Sequence, residues 1–142
     1  MKIEDLMIGD WVCLADGNLP LEERYFKIEY LSTSAGVSWV NQGTNAPIGL
    51  GDGESLIPVF TDEISPIPIT PEILEKNGFE GIKEGRFPSL RNYYNDIIFQ
   101  LEGIKEEGNC KILYIFKNIP ILYVHELQHA LKLCGIDKEI II

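Results

Sequence analysis

The sequence predicts an α+β protein. The expected architecture is a small SH3-like antiparallel β-barrel over residues 1–68, followed by an α+β lobe over 69–142, the two packed as one compact unit. Three observations carry this reading. The first half holds short runs of β-branched and aromatic residues separated by Gly, Asn, Asp and Pro. A fully signposted short helix follows at 71–77. The last apolar-periodic stretch, from about Val124 to Cys134, is stopped by Gly135.

In chain order, Trp11-Val12-Cys13-Leu14 is a strand after the Gly9-Asp10 turn, and Asp16-Gly17-Asn18 ends it. Tyr25–Leu31 alternates in part, with Phe26, Ile28 and Tyr30 on one face and Lys27 and Glu29 on the other. Val37–Val40 predicts a third strand. Residues 41–54 are rich in Gly, Asn, Pro and Thr and predict a long loop, in which Gly49-Leu50-Gly51-Asp52-Gly53 is a flexible turn. That run lacks the Lys-Ser/Thr of a phosphate loop. Residues 55–60 and 64–69 predict strands whose prolines confine them to edges or ends. Trp11, Tyr25, Phe26, Tyr30 and Trp39 are expected to fill the barrel core rather than line a groove.

For the helix at 71–77, Thr70 caps the first turn, Pro71 sits where its missing N–H costs nothing, and Gly78 supplies the left-handed stop. Residues 80–92 predict an irregular connection. Residues 94–101 and 111–117 predict a hairpin, with 119–124 as a third strand, so the lobe is expected to hold a β-hairpin or a three-stranded sheet before its C-terminal helix.

The chain carries 12 basic and 22 acidic side chains, a formal charge of −10. That balance argues against a general grip on nucleic acid and against docking on anionic lipid. No apolar run is long enough to span a bilayer, so no membrane association is expected. The acidic start, Glu4-Asp5, and three widely spaced cysteines, Cys13, Cys110 and Cys134, predict a cytoplasmic protein with reduced thiols.

One motif carries chemistry. Residues 125–129 read His125-Glu126-Leu127-Gln128-His129, an H-E-x-x-H pattern. On a helix, positions i and i+4 share a face, so both imidazoles can ligate one zinc ion while Glu126 serves as general base on the metal-bound water. About ten residues around it are similar to the active-site helix of zincin metallopeptidases. The helical wheel puts Val124, Leu127, Ala130, Leu131 and Cys134 on one apolar stripe and both histidines, with Lys132, on the opposite side. A catalytic zinc normally takes a third protein ligand. The remaining candidates are Asp137, Glu139, the end of the chain at Ile142, or an upstream acid among Glu102, Glu106 and Glu107. Lys132 would repel a dication, and the extended metzincin pattern wants Gly and His where this chain has Lys132 and Gly135.

A second resemblance spans nearly the whole chain. It rests on Ile3-Glu4-Asp5-Leu6 with Ile8-Gly9-Asp10-Trp11-Val12, on Pro66-Ile67-Pro68-Ile69-Thr70-Pro71-Glu72-Ile73-Leu74-Glu75-Lys76-Asn77-Gly78-Phe79, and on Tyr123–Leu131. These segments resemble a family of short uncharacterised proteins from gut anaerobic bacteria, their prophages and mobile elements. In that family the position of Glu126 can hold Gln and that of His129 can hold Asn. The resemblance therefore implies a helix shared for packing, with H-E-x-x-H an incidental variant.

The expected function is thus a non-enzymatic accessory or protein-binding protein of a prophage or mobile element. Its expected partner is another protein, and it is expected to have no catalytic residue, no metal ligand and no cofactor. The alternative is a small zinc-dependent hydrolase with His125 and His129 as ligands and Glu126 as base.

Overall fold

The computed structural model describes residues 1–15, 20, 23–32, 46–51, 56–82, 89–91, 97–102, 110–112 and 119–142, with backbone alone at 97–99, 102, 110–112 and 119–120. The fold is α+β, and the chain divides into two compact units, Met1–Ile67 and Pro68–Ile142.

The first unit is a five-stranded antiparallel sheet: β1 (Trp11–Leu14), β2 (Tyr25–Leu31), β3 (Ile48–Gly51), β4 (Leu56–Val59) and β5 (Ile64–Pro66), in the order β4-β3-β2-β1-β5. Its core is Leu6, Val12, Ile28, Ile48, Leu50, Val59 and Ile64, with Phe26 and Leu14 packed against it. The turn before β1 is locked by the buried Asp10, whose carboxylate accepts from the Met7 N–H at 2.7 Å. Gly9 takes the left-handed conformation there, at φ 93°.

The sheet is open, which corrects the expected closed barrel. Among the described residues β4 and β5 are its edges, and each carries a proline, Pro58 and Pro66. Ala15 N–H donates to Glu63 O at 2.8 Å. Two residues per ladder step then put Pro66, opposite Val12, at a position whose backbone faces outward, where proline offers no N–H for a further strand. The stretch expected to be a loop contains β3, with all four residues buried, so Gly49–Gly51 is strand rather than turn. The glycines serve close approach: a Cβ at Gly51 would collide with the Glu29 side chain, which crosses it at a register shift between Ile28 and Tyr30. The third strand expected at Val37–Val40 lies outside the described residues.

The second unit begins with α1 (Pro71–Lys76). Thr70 Oγ1 accepts from the Ile73 N–H at 3.3 Å, and Pro71 occupies the first turn. Gly78 at φ 76° allows Phe79 N–H to reach Leu74 O at 3.0 Å and Gly78 N–H to reach Glu75 O at 2.9 Å, a Schellman end that buries Phe79. A four-stranded antiparallel sheet follows: β6 (Ser89–Arg91), β7 (Ile97–Glu102), β8 (Cys110–Ile112) and β9 (Ile119–Ile121), in sequence order. It has two strands more than the expected hairpin and one more than the expected three-stranded sheet. β6 arises inside the stretch expected to be irregular, tied by a bridge between Glu80 and Ser89 and by an ion pair between Arg91 Nε and Glu80 at 3.0 Å.

The unit closes with α2 (Val124–Leu133). Gly135, at φ 71°, repeats the Schellman end, with Ile136 N–H donating to Leu131 O at 2.9 Å. The following segment runs back to α1. Asn77, buried at its C-cap, donates from Nδ2 to Ile73 O at 2.8 Å and to Ile141 O at 2.7 Å, and accepts from Ile141 N–H at 2.8 Å. Lys76 Nζ donates to Ile142 O, and Ile140 is fully buried.

Candidate functional site

The candidate site is the start of α2. Its position is set by the chain entering both helices. Ile69 N–H donates to Leu122 O at 3.0 Å, and Pro68 bridges Tyr123, so the segments leading into α1 and α2 lie side by side. Val124, Leu127 and Leu131 are all buried and anchor the helix through its apolar stripe, and Ile121 at the end of β9 is buried as well.

Tyr123 is the N-cap, which makes His125 the second residue of the helix and Glu126 the third. Glu126 uses that position structurally. Its Oε2 accepts from the N–H of Leu122 at 2.7 Å and of Tyr123 at 3.1 Å. This is the reaching-back arm of a capping box, and it puts a carboxylate at the positive end of the helix dipole. A general base needs its carboxylate aimed at the water it deprotonates. Here the carboxylate is turned onto the backbone that precedes the helix.

The histidines are placed unequally. His125 is only 6 % exposed and His129 is half-buried. The sequence reading set both on the flank away from the core, and for His125 the structure corrects this. The wheel treats a helix as having one covered side, whereas the first turn of α2 is also enclosed on its polar flank. The His125 ring stacks on Tyr123, with centroids 5.9 Å apart and planes 9° from parallel. Its Nδ1 is buried and makes no hydrogen bond among the described residues.

His129 meets His125 edge-on, with centroids 5.9 Å apart and planes at 78°. Two imidazoles sharing one tetrahedral zinc at Zn–N of about 2.0–2.1 Å hold their centroids about 5 Å apart. The pair would therefore have to close by somewhat under 1 Å to share a metal. Among the described residues no third His, Cys, Asp or Glu joins them in a metal-sized cluster. Of the acids considered as third ligand, Glu106 and Glu107 lie outside the described residues, as does the side chain of Glu102. Lys132 is exposed on the following turn. Cys13 and Cys134 are free thiols, both half-buried.

Burial of His125 was missed by the sequence reading, and so was the capping role of Glu126. The latter had a signal: an acid at the third helical position is the regular partner of the N-cap. Elsewhere, Lys27 Nζ lies 5.2 Å from the centroid of the Trp11 ring, a cation–π pair across β1 and β2. Among the described residues no helix is long and apolar enough to cross a membrane. No protein-family model, curated protein or solved structure matches this chain.

Proposed function

We propose that this chain is a non-enzymatic accessory protein that acts by binding another protein, in the setting of a prophage or mobile element. One observation carries the non-enzymatic part: the acid of H-E-x-x-H is the helix cap, with Oε2 bonded to two backbone amides. In this reading Tyr123, His125 and His129 form an aromatic ladder that packs the start of α2. In this reading the open five-stranded antiparallel sheet of the first unit is the binding unit. The net charge of −10 favours a basic protein partner over nucleic acid.

A second reading is a small zinc-dependent hydrolase. It is favoured by the placement of two imidazoles one turn apart with their rings in contact. Metal analysis of untagged protein separates the two. The binding reading expects substoichiometric zinc and an unchanged melting temperature when zinc is added, for the native chain and for His129→Asn alike. Stoichiometric zinc that disappears in His129→Asn overturns it. Affinity capture with each unit as bait tests the binding half, and failure of both units to retain any partner counts against it.

A further inference from the structure

Asn77 is the one asparagine in the chain followed by glycine. With no Cβ on the next residue, the backbone nitrogen of Gly78 is unshielded and the chain turns freely. In an unfolded segment that nitrogen attacks Asn77 Cγ. The new N–C bond forms, the bond from Cγ to the side-chain nitrogen breaks, and ammonia leaves with the amide proton. Water then opens the succinimide, giving aspartate or isoaspartate.

The fold holds both reacting groups apart. Asn77 is 3 % exposed, and its amide makes three hydrogen bonds, two donated to Ile73 O and Ile141 O and one accepted from Ile141 N–H. The attacking nitrogen is engaged as well, donating to Glu75 O at 2.9 Å. Asn77 sits at ψ 14°, and closing the five-membered ring requires the peptide to swing far from that setting.

We propose that Asn77-Gly78 is a latent modification site, protected while the segment Ile136–Ile142 is clamped to α1, and that its deamidation releases that segment irreversibly. The product explains the irreversibility. A carboxylate cannot donate to Ile73 O and Ile141 O, so two bonds are lost and a buried negative charge faces two carbonyl oxygens. Isoaspartate also adds a methylene to the backbone, which breaks the register of the Schellman end. Ile140, fully buried in the clamped form, then loses its anchor.

The test follows conversion at neutral pH by intact mass and peptide mapping, in the full chain and in a blocked peptide spanning residues 75–79. Native protein is expected to convert at least about 100-fold more slowly than the peptide, because reaction waits on local opening. In urea the two rates should converge. Hydrogen exchange of the Ile141 amide should then be fast in the converted fraction and slow in the unconverted one. Equal rates in native chain and peptide would overturn the proposal, and so would converted protein with a still-protected Ile141 amide. The time course makes the product within folded material, so the test stands even if Asn77→Asp does not fold when expressed directly.

Discussion

Replacing Glu126 discriminates most sharply between the two readings of α2. Its carboxylate satisfies the amides of Leu122 and Tyr123 at 2.7 and 3.1 Å. A lost cap of this kind costs about 1 kcal/mol, and removing the charge from the helix N-terminus adds roughly 0.3–1 kcal/mol. Both amides belong to partly buried residues, so water replaces the carboxylate only incompletely, and the sum for Glu126→Ala is about 2 kcal/mol. Glu126→Gln keeps an acceptor oxygen and loses the charge, so about 0.5–1 kcal/mol is expected. Urea titrations followed by far-UV circular dichroism measure the difference through the midpoint at unchanged slope. By thermal melting the alanine variant should fall by roughly 4–8 °C, scaling 2 kcal/mol at the sensitivity of a chain of 142 residues. A carboxylate held in place for catalysis predicts the reverse: its removal leaves stability unchanged or raises it. Glu126→Ala within about 0.5 kcal/mol of the native chain would refute the capping argument, since surface changes without a structural role fall in that range.

Three further outcomes follow from the structure. The Glu72 carboxyl is held below its ordinary pKa, first by a backbone hydrogen bond at its own position and then by the Thr70 hydroxyl. Its stabilising effect is therefore present above the unfolded pKa and lost as pH falls through the folded one. Stabilities of native and Glu72→Gln protein should differ at neutral pH and converge in acid, as pH-dependent urea midpoints would show. At Gly135, φ is 71° and a Cβ meets nothing within 4 Å, so Gly135→Ala should cost only the backbone term, about 1–2 kcal/mol in the midpoint. At Gly51 the obstacle is the exposed side chain of Glu29, so Gly51→Ala alone should destabilise and the pair Gly51→Ala with Glu29→Ala should recover most of the loss in a double-mutant cycle.

The helices were legible because local chemistry specifies them. Thr70, Pro71 and Gly78 each answer a requirement of a helix end, and Gly135 repeats the stop. β1 matched its expected limits because turn residues flank it, and β2 because its alternation runs from Tyr25 to Leu31. β3 was hidden because its signal is inverted. Glycine usually marks a break, yet Gly51 is there to let Glu29 cross, a demand that comes from another strand. β6 was hidden by length, three residues being too few for any period to show. The barrel failed to close for a reason that was visible, since Pro58 and Pro66 were already expected at edges. Two proline-bearing edges argue against mutual pairing.

The motif at 125–129 shows why a short pattern underdetermines chemistry. Glutamate is favoured at the third position of a helix for capping, and positions 125 and 129 share a face on any helix. A sequence that starts a helix at Val124 with Glu at the third position therefore satisfies H-E-x-x once a histidine falls at the second. Only the last histidine is then extra. What distinguishes the two uses is the direction of the carboxylate. Along the helix toward its N-terminus, it satisfies amides that have no partner within the helix. Across the helix toward the imidazoles, it would address a metal-bound water. In this chain Oε2 takes the first direction, with the Leu122 amide at 2.7 Å. His125 correspondingly sits in a packed environment, 6 % exposed and stacked on Tyr123. Folding accounts for this direction of the acid, and service as general base would require the Glu126 carboxylate to leave the two amides it caps.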